Sequence, residues 1–357
     1  MSATCALQGT EESAASIRTR LCPKCFLCER QGELLYESLT DRLYGAPGTW
    51  NLRRCPGVEC GLVWLDPMPV EEDIGKAYLN YHTHGQGSEP VRTQIRRVGR
   101  AVKSNYLSFK YGYSCGLRRP FNFVIGLMMY LLPGVRANVN HGACHLSARR
   151  GGRLLDIGCG SGELLNGMRR LGWEAEGTDS DPKAVEIARG KSLKVHLCGT
   201  PAELQLASGT FDAVVMSHVI EHLSDPLALL RESHRLLNPG GSLVIVTPNG
   251  RSLGHRFYGA NWRGLEPPRH LHVFSPQSMR VLLGEAGFRD VRLATTIRGA
   301  DFYFTSSRAL QQAQLPVTAA EQRWRERIWG QAMLGVEWGW LKFEDEVGEE
   351  IAVVARR

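Results

Sequence analysis

The chain has 357 residues, of which 43% are hydrophobic and 22% are charged. A chain of this length and composition can bury a substantial core, which excludes disorder throughout, collagen and a coiled coil. The net charge of +7 arises in one block, because residues 91–150 hold 11 bases and no acid, whereas the rest carries 32 bases against 36 acids. The block therefore indicates an anionic partner or a solvated, basic helical face.

The N-terminal residues lack the features of a targeting segment. The stretch MSATCALQGTEESAAS has no charged region followed by an apolar one, so we expect no secretory signal. The longest apolar run, residues 121–132, has twelve residues, whereas a membrane-spanning helix needs about 20. We therefore expect a soluble, cytoplasmic protein in which residues 1–21 form a disordered tail.

Five of the ten cysteines cluster near the N-terminus as CPKCFLC and, 26 residues later, CPGVEC. Two close thiol pairs at this separation are typical of ribbons that bind a structural Zn²⁺, and the metal would supply folding energy that so short a segment lacks. Residues 22–66 are thus predicted to form a zinc ribbon. Cys55 and Cys60 form the second pair, and the first is either Cys22 with Cys25 or Cys25 with Cys28. A metal-free cluster or a redox pair is the alternative.

Residues 67–148 are predicted to form a basic helical connector. Within it, residues 121–132 read FNFVIGLMMYLL, and a buried helix is the favoured interpretation of this run. The alternative combines the run with the bases of residues 91–150 as an amphipathic surface for lipid or lipid-linked acceptors.

From residue 152 onward, short apolar strands alternate with helices, which is the pattern of a parallel sheet covered on both faces. The strand at residues 153–157 leads into the turn Gly158-Cys-Gly-Ser-Gly162 and a helix. Asp179 ends the second strand 21 residues after Gly158, close to the roughly 20 expected for a carboxylate that accepts ribose hydroxyls. Asp181 precedes a proline and is interpreted as the N-cap of the next helix.

The order of the glycines discriminates between cofactors. The chain reads D-x-G-x-G-x-G from Asp156 to Gly162, whereas a dinucleotide fingerprint requires G-x-G-x-x-G. Further strands are predicted at residues 211–217, 242–247, 288–297 and 351–355. An insertion at residues 301–343 carries four tryptophans, which fit either core helices or a lid over an acceptor pocket.

These motifs resemble those of class I S-adenosylmethionine-dependent methyltransferases. The matching segments read DIGCGSG, TDSDP, FDAVVMSHVIEH and LLNPGGSLVIVTPN. The phrases CGLVWLDP and WRGLEPPRHLHVFSP further resemble a bacterial subgroup with an N-terminal four-Cys zinc ribbon. The resemblance implies a Rossmann-like α/β domain at residues 149–357, with a seven-stranded sheet, helices on both faces and an antiparallel last strand. The subgroup's spacing also favours Cys28 over Cys22. The implied zinc ligands are Cys25, Cys28, Cys55 and Cys60.

The resemblance further implies a binding site for S-adenosylmethionine. The turn glycines would approach the methionine part of the cofactor, Asp156 would brace that turn, and Asp179 would accept the ribose hydroxyls. Ser180 would lie beside the adenine, and the end of the strand at residues 211–217 would line the methionine end. The implied cofactor-binding residues are Asp156, Gly158, Cys159, Gly160, Gly162, Asp179, Ser180, Thr200, Met216, Ser217 and His218.

An acceptor that must lose a proton needs a base, for which histidine is best suited near neutral pH. His270 and His272 lie two residues apart and hence on one face of an extended segment, and sugar C-methyltransferases of the superfamily have a similar H-x-H segment over the acceptor. His270 is the first candidate base, followed by His272 and His218. The segment from His218 to His222 also matches the H-x-x-E-H of inverted zinc proteases, but that chemistry requires a continuous helix.

The predicted function is methyl transfer from S-adenosylmethionine to oxygen or carbon of a small molecule or of a sugar- or lipid-linked acceptor. One alternative is an RNA methyltransferase that grips nucleic acid with the ribbon and the basic block, although nucleic acid is the less favoured partner. Another is a non-catalytic zinc-ribbon adaptor that keeps a vestigial fold. Peripheral membrane contact through residues 91–150 is a further expectation.

Overall fold

A computed structural model describes residues 16–79, 93–115, 121–312 and 324–357 of the protein, with the backbone alone for residues 93–98. Most of the predicted disordered tail and five bases of the basic block lie outside these described side chains. Those five bases are Arg92, Arg96, Arg97, Arg118 and Arg119.

Strands and helices occupy most of the described residues. In chain order, the strands are β1 (Thr19–Arg20), β2 (Glu33–Leu39), β3 (Trp50–Arg54), β4 (Val63–Leu65), β5 (Met68–Pro69), β6 (Arg153–Ile157), β7 (Glu174–Asp179), β8 (Lys194–Leu197), β9 (Phe211–Ser217), β10 (Leu237–Pro248), β11 (His272–Val273), β12 (Arg289–Thr296) and β13 (Glu350–Arg356). The α-helices are α1 (Thr93–Tyr111), α2 (Phe121–Leu127), α3 (Pro133–Gly142), α4 (Glu163–Arg170), α5 (Pro182–Gly190), α6 (Pro226–Leu236), α7 (Leu253–Tyr258), α8 (Pro276–Glu285), α9 (Ala300–Gln311) and α10 (Trp324–Trp340). Short 3₁₀ turns lie at Glu71–Tyr78, Met128–Leu131, Pro201–Leu204, Ile220–His222, Gly259–Asn261 and Arg263–Leu265.

A seven-stranded sheet forms the centre of the molecule, as predicted. Its order is β8-β7-β6-β9-β10-β13-β12. Strands β6 to β10 run parallel to one another, whereas β13 lies antiparallel between β10 and β12. The parallel strands β6, β7 and β9 therefore end at the same edge, where an open α/β sheet binds its ligands. The predicted seven-stranded sheet with an antiparallel last strand is confirmed.

The ribbon is not an independent unit, and it does not end at residue 66 as predicted. Its antiparallel sheet has the order β11-β4-β3-β2, so its fourth strand comes from the distant residues His272–Val273. A single apolar cluster also runs from Trp50 of the ribbon to Leu155 and Phe211 of the central sheet. Sequence reasoning could not find this strand, because two residues carry no periodicity.

A buried arginine connects the ribbon to the segment before β11. The guanidinium of Arg269 is fully buried and donates to both carboxylate oxygens of Asp41, at 2.8 and 3.0 Å, and to Glu266 Oε1 at 2.8 Å. Asp41 also accepts the backbone N–H of Leu43 at 3.0 Å and that of Ala46 at 2.8 Å. The pairing satisfies charges that would otherwise be costly to bury.

The connector packs on the opposite side of the sheet from the ribbon. Tyr106 of α1 and Val139 of α3 belong to an apolar cluster that includes Leu154 and Val215. The helical character predicted for residues 67–148 agrees with α1 to α3 and the turn Glu71–Tyr78.

The predicted burial of residues 121–132 is wrong. Phe121, Val124 and Leu131 are 64%, 62% and 79% exposed. The side that packs on α1 instead carries Asn122 and Gly126, and a Cβ on Gly126 would lie only 3.2 Å from the carbonyl oxygen of Asn105. Because the small residues of α2 face the protein, the bulky apolar ones face outward.

Neither this run nor any other single helix among the described residues is long and apolar enough to cross a membrane. The segments Phe121–Leu131 and Pro133–Gly142 meet that criterion only when taken together, and they are bent by 118° relative to each other. In the insertion, Trp324 and Trp340 are 66% and 48% exposed, so they are not core residues.

The buried pairing of Arg269 can be tested by its removal. We expect Arg269→Met to lower the free energy of unfolding by about 3–5 kcal/mol, because it leaves the Asp41 and Glu266 carboxylates buried without their cation. The matched control is Arg256→Met, since Arg256 pairs with Glu344 where both side chains are about 40% exposed. Its loss should cost about 0–1 kcal/mol. Urea unfolding followed by fluorescence measures both values, and equal midpoints for the two variants would contradict the assignment.

Candidate functional site

The glycine turn after β6 leaves a backbone cradle at the sheet edge. Gly158, Gly160 and Gly162 all have positive φ values, of 68°, 53° and 80°. A Cβ on Gly158 would lie 2.5 Å from Val219, and one on Gly162 would lie 2.2 Å from Leu193, so these two positions are closed by packing. A Cβ on Gly160 would have no atom within 4 Å. The space over Gly160 is therefore where a ligand can approach the backbone.

Asp179 joins this turn to the end of β7. Its Oδ2 accepts the backbone N–H of Gly160 at 2.7 Å, and its Oδ1 accepts that of Asp181 at 2.8 Å. Each oxygen retains a second lone pair, so the half-buried carboxylate can still accept hydroxyl groups. Asp181 instead caps α5, since its Oδ1 accepts the N–H of Lys183 at 2.9 Å. The sequence interpretation of Asp181 as an N-cap is confirmed.

Two residues of the predicted cofactor site, Asp156 and Cys159, are enclosed by other parts of the protein. The turn is held by the carbonyl of Thr178, which accepts the N–H groups of Gly158 and Cys159 at 2.8 and 3.0 Å, so the expected bracing by Asp156 is not what fixes it. Asp156 is buried, and burial together with the charge of Asp179 raises its pKa to about 8. The Cys159 thiol packs against the β7 backbone, because a Cβ on Gly177 would lie 2.6 Å from its Sγ.

The other predicted cofactor residues differ in how exposed their side chains are. Ser180 is exposed beside Asp179, and Ser217 is half-buried at the end of β9. Met216 is fully buried in the core, so its side chain does not line the edge. The exposed Thr200 begins the turn Pro201–Leu204, where its N–H donates to Glu203 Oε1 at 2.8 Å. Glu203 thus serves as a cap of this turn.

His218 lies next to the cradle but does not have the properties of a base. Its Nε2 is 3.0 Å from Glu350 Oε1, and its Nδ1 is 3.2 Å from Glu221 Oε1. Burial favours the neutral ring, but the two carboxylates outweigh it and raise the pKa of His218 to about 10. A ring that is already protonated at neutral pH cannot accept a further proton. The predicted role of His218 as a base is therefore corrected to that of a fixed cation.

The structure separates the two histidines that were expected to share one face. His272 lies in β11 of the ribbon sheet, where its ring contacts Phe26 with centroids 4.9 Å apart. His270 precedes the strand, and its ring lies 4.8 Å from that of His222. Burial lowers the pKa of both His270 and His272 to about 4. Because His272 belongs to the ribbon junction, the structure does not bring it to the cradle.

Sequence reasoning missed the acidic groups and the arginine around His218. Glu350, the first residue of β13, also accepts from Arg298 Nη1 at 2.7 Å. Glu221 is fully buried, and its Oε2 accepts the hydroxyl of Thr247 at 3.0 Å. The antiparallel β13 brings Glu350 to this edge from 132 residues away, a contact without a local signal. Glu221 does have a local signal, since it is the acid of the H-x-x-E-H segment.

Four of the five N-terminal thiols converge. Cys25, Cys28, Cys55 and Cys60 bring their Sγ atoms within 4.8 Å of one another. The Sγ atoms of Cys25 and Cys60 are 3.7 Å apart, and those of Cys28 and Cys55 are 3.3 Å apart. Tetrahedral zinc with bonds of about 2.3 Å separates its sulfurs by about 3.8 Å. Cys22 lies outside the group, and its N–H donates to Asp66 at 2.6 Å.

The sequence comparison supports a methyltransferase domain in this chain. Residues 138–293 match the sequence model of a family described as "Methyltransferase domain". The match covers 156 of the 357 residues, and over this segment the chain is similar to methyltransferase domains. The glycine turn, Asp179 and the parallel strands β6 to β10 all lie within the matched region. The surroundings of Gly160 and Asp179 fit S-adenosylmethionine, the methyl donor that the resemblance implies.

Relatives of the methyltransferase domain include ubiquinone biosynthesis O-methyltransferases. The protein of that name from Cereibacter sphaeroides (strain ATCC 17029) is 37% identical over 150 residues, which cover 39% of this chain and 61% of that protein. The one from Xanthomonas campestris pv. campestris is 40% identical over 105 residues, 28% of this chain and 44% of that protein. The chain thus spans about three fifths or less of the length of these curated relatives.

Solved structures similar to this chain include two methyltransferases. A SAM dependent methyltransferase from Archaeoglobus fulgidus has a TM-score of 0.41 and 21% identity, covering 71% of this chain and 99% of that chain. An S-adenosylmethionine dependent methyltransferase from Mesorhizobium loti has a TM-score of 0.43 and 18% identity, covering 62% and 98%. At such scores the likeness has no bearing on the site or on the acceptor.

The charge of His218 can be tested by titration. Because its pKa of about 10 exceeds the unfolded value near 6.5, its ion pairs add stability that is complete below about pH 6.5 and is lost as the pH rises towards 10. At pH 8, with a metal chelator present, we expect the His218 ring to be doubly protonated, as measured by imidazole ¹⁵N shifts assigned with His218→Gln. Glu350→Gln should lower the pKa of His218. A ring that titrates near pH 6.5 would contradict this assignment.

Proposed function

We propose that this protein transfers the methyl group of S-adenosylmethionine to a hydroxyl oxygen of a small-molecule acceptor. The observation that carries the proposal is the open space over Gly160, directly beside the Asp179 carboxylate. Oxygen is favoured over carbon because the relatives of the domain are named O-methyltransferases, over 150 matched residues at 37% identity. The methyl acceptor itself is defined only as a hydroxyl-bearing small molecule.

The chain's own residues would act mainly by positioning. When bound, S-adenosylmethionine supplies a methyl group on a positively charged sulfur, and transfer requires the acceptor oxygen in line with the S–CH₃ bond. Asp179 would accept ribose hydroxyls, while the backbone at Gly160 fixes the depth of the cofactor in the cradle. Ser217 and the His218 cation, at the end of β9, would line the methionine end next to the acceptor.

Zinc binding by the ribbon forms part of the proposal. The four sulfurs of Cys25, Cys28, Cys55 and Cys60 lie within 4.8 Å of one another, close enough for one tetrahedral ion to bind all four. No His belongs to this group, and its chemistry is that of a closed, structural site. Zinc would hold the ribbon on which β11 and the Asp41–Arg269 pair depend.

The two alternative functions have less support. An RNA grip would draw on the basic block, in which Arg149 pairs with Asp212 at 2.9 Å and Lys110 donates to Asn140 at 3.1 Å. A non-catalytic adaptor would have no need for an open cradle beside an ionisable carboxylate. Affinity for RNA that falls steeply with salt would identify the first alternative, and failure to bind the methyl donor would identify the second.

Donor binding can be tested with two aspartates that lie two residues apart. We expect Asp179→Asn to weaken S-adenosylmethionine binding at least 10-fold, about 1.4 kcal/mol, because the amide offers the ribose one acceptor oxygen instead of two. Asp181→Asn is the control, since Asp181 caps α5 and its replacement should leave affinity unchanged. Isothermal titration calorimetry gives both dissociation constants. No heat with the wild-type chain would favour the adaptor, and equal affinities for the two variants would contradict the site.

A lipid surface is the proposed location of the acceptor. The exposed apolar side chains of α2 and its neighbours form one surface, which we call the apolar patch. Its members are Phe121, Phe123, Val124, Leu127, Met128, Tyr130, Leu131, Leu132 and Val135. The surrounding residues 91–150 contain no acid, and Arg100 and Lys103 of α1 are exposed. Apolar groups flanked by cations match the interface of an anionic bilayer.

The membrane proposal predicts a charge-dependent association. We expect the chain to sediment with vesicles that contain phosphatidylglycerol and much less with pure phosphatidylcholine. Phe121→Asp with Leu131→Asp should weaken vesicle binding more than 10-fold, because each apolar side chain contributes about 1.5–3 kcal/mol on burial. Val58→Asp is the control, since Val58 is 85% exposed but lies in the ribbon. Absence of sedimentation with either vesicle would contradict the proposal and favour an acidic protein partner for the patch.

A further inference from the structure

Three side chains that commonly bind metals meet beyond the end of β9. Glu221 and His222 lie in the turn Ile220–His222, and His270 reaches them from the segment before β11. Each contributes one potential ligand atom, and these atoms lie within 4.8 Å of one another. The group is separate from the four-thiol site and uses nitrogen and oxygen donors instead of sulfur.

The two histidine rings are oriented by backbone carbonyls. His222 Nδ1 lies 2.9 Å from the carbonyl oxygen of Arg269, and His270 Nδ1 lies 2.8 Å from that of Gly264. A carbonyl oxygen can only accept, so each ring donates from Nδ1 when it forms this bond, and its Nε2 lone pair is then available as a ligand. The hydroxyl of Tyr78, 3.0 Å from His222 Nδ1, can accept the same hydrogen. Metal-binding histidines are typically fixed in this way by a hydrogen bond from the other ring nitrogen.

The carboxylate of the group faces Thr247 with one oxygen and the His218 cation with the other. Glu221 is fully buried, and its Oε2 accepts from Thr247. Its Oε1 has no hydrogen-bond partner among the described residues, although His218 Nδ1 lies 3.2 Å away as an ion pair. A buried carboxylate oxygen with a free lone pair is the third ligand that a two-histidine site requires.

We propose that Glu221, His222 and His270 bind one divalent transition-metal ion, of the Zn²⁺, Fe²⁺ or Mn²⁺ class. Two imidazoles and one carboxylate suit these ions and leave coordination positions open for water or a ligand oxygen. His222 is half-buried, so the site can be reached from its side. The site lies beside His218 and thus next to the methionine end of the donor cradle.

The position of the metal favours an acceptor that carries a hydroxyl group. This inference rests on the proposed function. An acceptor hydroxyl that occupies an open coordination position would lose its proton to solvent water, since a bound cation lowers the pKa of such a group. The oxygen then forms the new O–CH₃ bond as the S–CH₃ bond breaks and its electron pair stays on sulfur. The products are the methyl ether, S-adenosylhomocysteine and the released proton. This arrangement would activate the acceptor hydroxyl without a separate general base.

The test is a metal titration of the full chain. After treatment with a chelator, the protein is loaded with Co²⁺, and bound cobalt per chain is measured by mass spectrometry alongside the absorption spectrum. We expect two ions per chain, one with thiolate-to-cobalt absorption from the four cysteines and one without it. Glu221→Gln and His222→Gln should each bind one ion and keep the thiolate absorption. His255→Gln is the matched control and should bind two.

His255 is a suitable control because it is a buried histidine with both nitrogens occupied. Its Nδ1 lies 2.6 Å from the carbonyl oxygen of Gly250, and its Nε2 lies 3.0 Å from the hydroxyl of Tyr36. One ion in the wild-type chain with thiolate absorption, or two ions in His222→Gln, would overturn the metal proposal. The wild-type count is decisive even if a variant fails to fold. Donor binding, measured by calorimetry on the same wild-type sample, distinguishes failure of the metal site from failure of the proposed function.

Discussion

The buried pairing of Arg269 with Asp41 and Glu266 is the constraint on which the arrangement of this molecule depends. Charges removed from water must keep their partners, so the ribbon cannot separate from the segment before β11 without a large cost. The backbone of the same residue accepts a hydrogen bond from His222, which ties the turn after β9 to that segment. The ribbon thus fixes the surroundings of His222 and His270. Zinc bound in the ribbon would therefore influence their positions without contacting them.

The donor half of the site was predictable from the sequence because its signals are local. The glycine turn, Asp179 and the capping Asp181 lie within about 25 residues of chain, and each has a backbone reason that a sequence can reveal. The seven strands and the antiparallel last strand followed from the family resemblance. Within that half, the side chains of Met216 and Cys159 are buried, since strand alternation and close packing against Gly177 turn them into the core.

The acceptor half could not be predicted, because it is assembled from distant segments. Glu350 reaches His218 only through the antiparallel pairing of β13, and this contact reverses the expected protonation of the ring. His270 and His272 are close in sequence, yet β11 begins at His272 and leaves His270 outside the strand, so the two side chains have different surroundings. Similarly, the apolar composition of α2 predicts burial, whereas Gly126 allows its small-residue side to pack closely on α1.

The central claim is that the cradle at Gly160 and Asp179 holds the methyl donor. A crystal structure of the full chain with S-adenosylhomocysteine tests it most directly. The account predicts that both ribose hydroxyls lie within hydrogen-bonding distance of the Asp179 carboxylate and that the amino-acid part of the ligand lies against the Gly160 backbone. A ligand bound elsewhere, or an Asp179 side chain that turns away from the ribose, would contradict it.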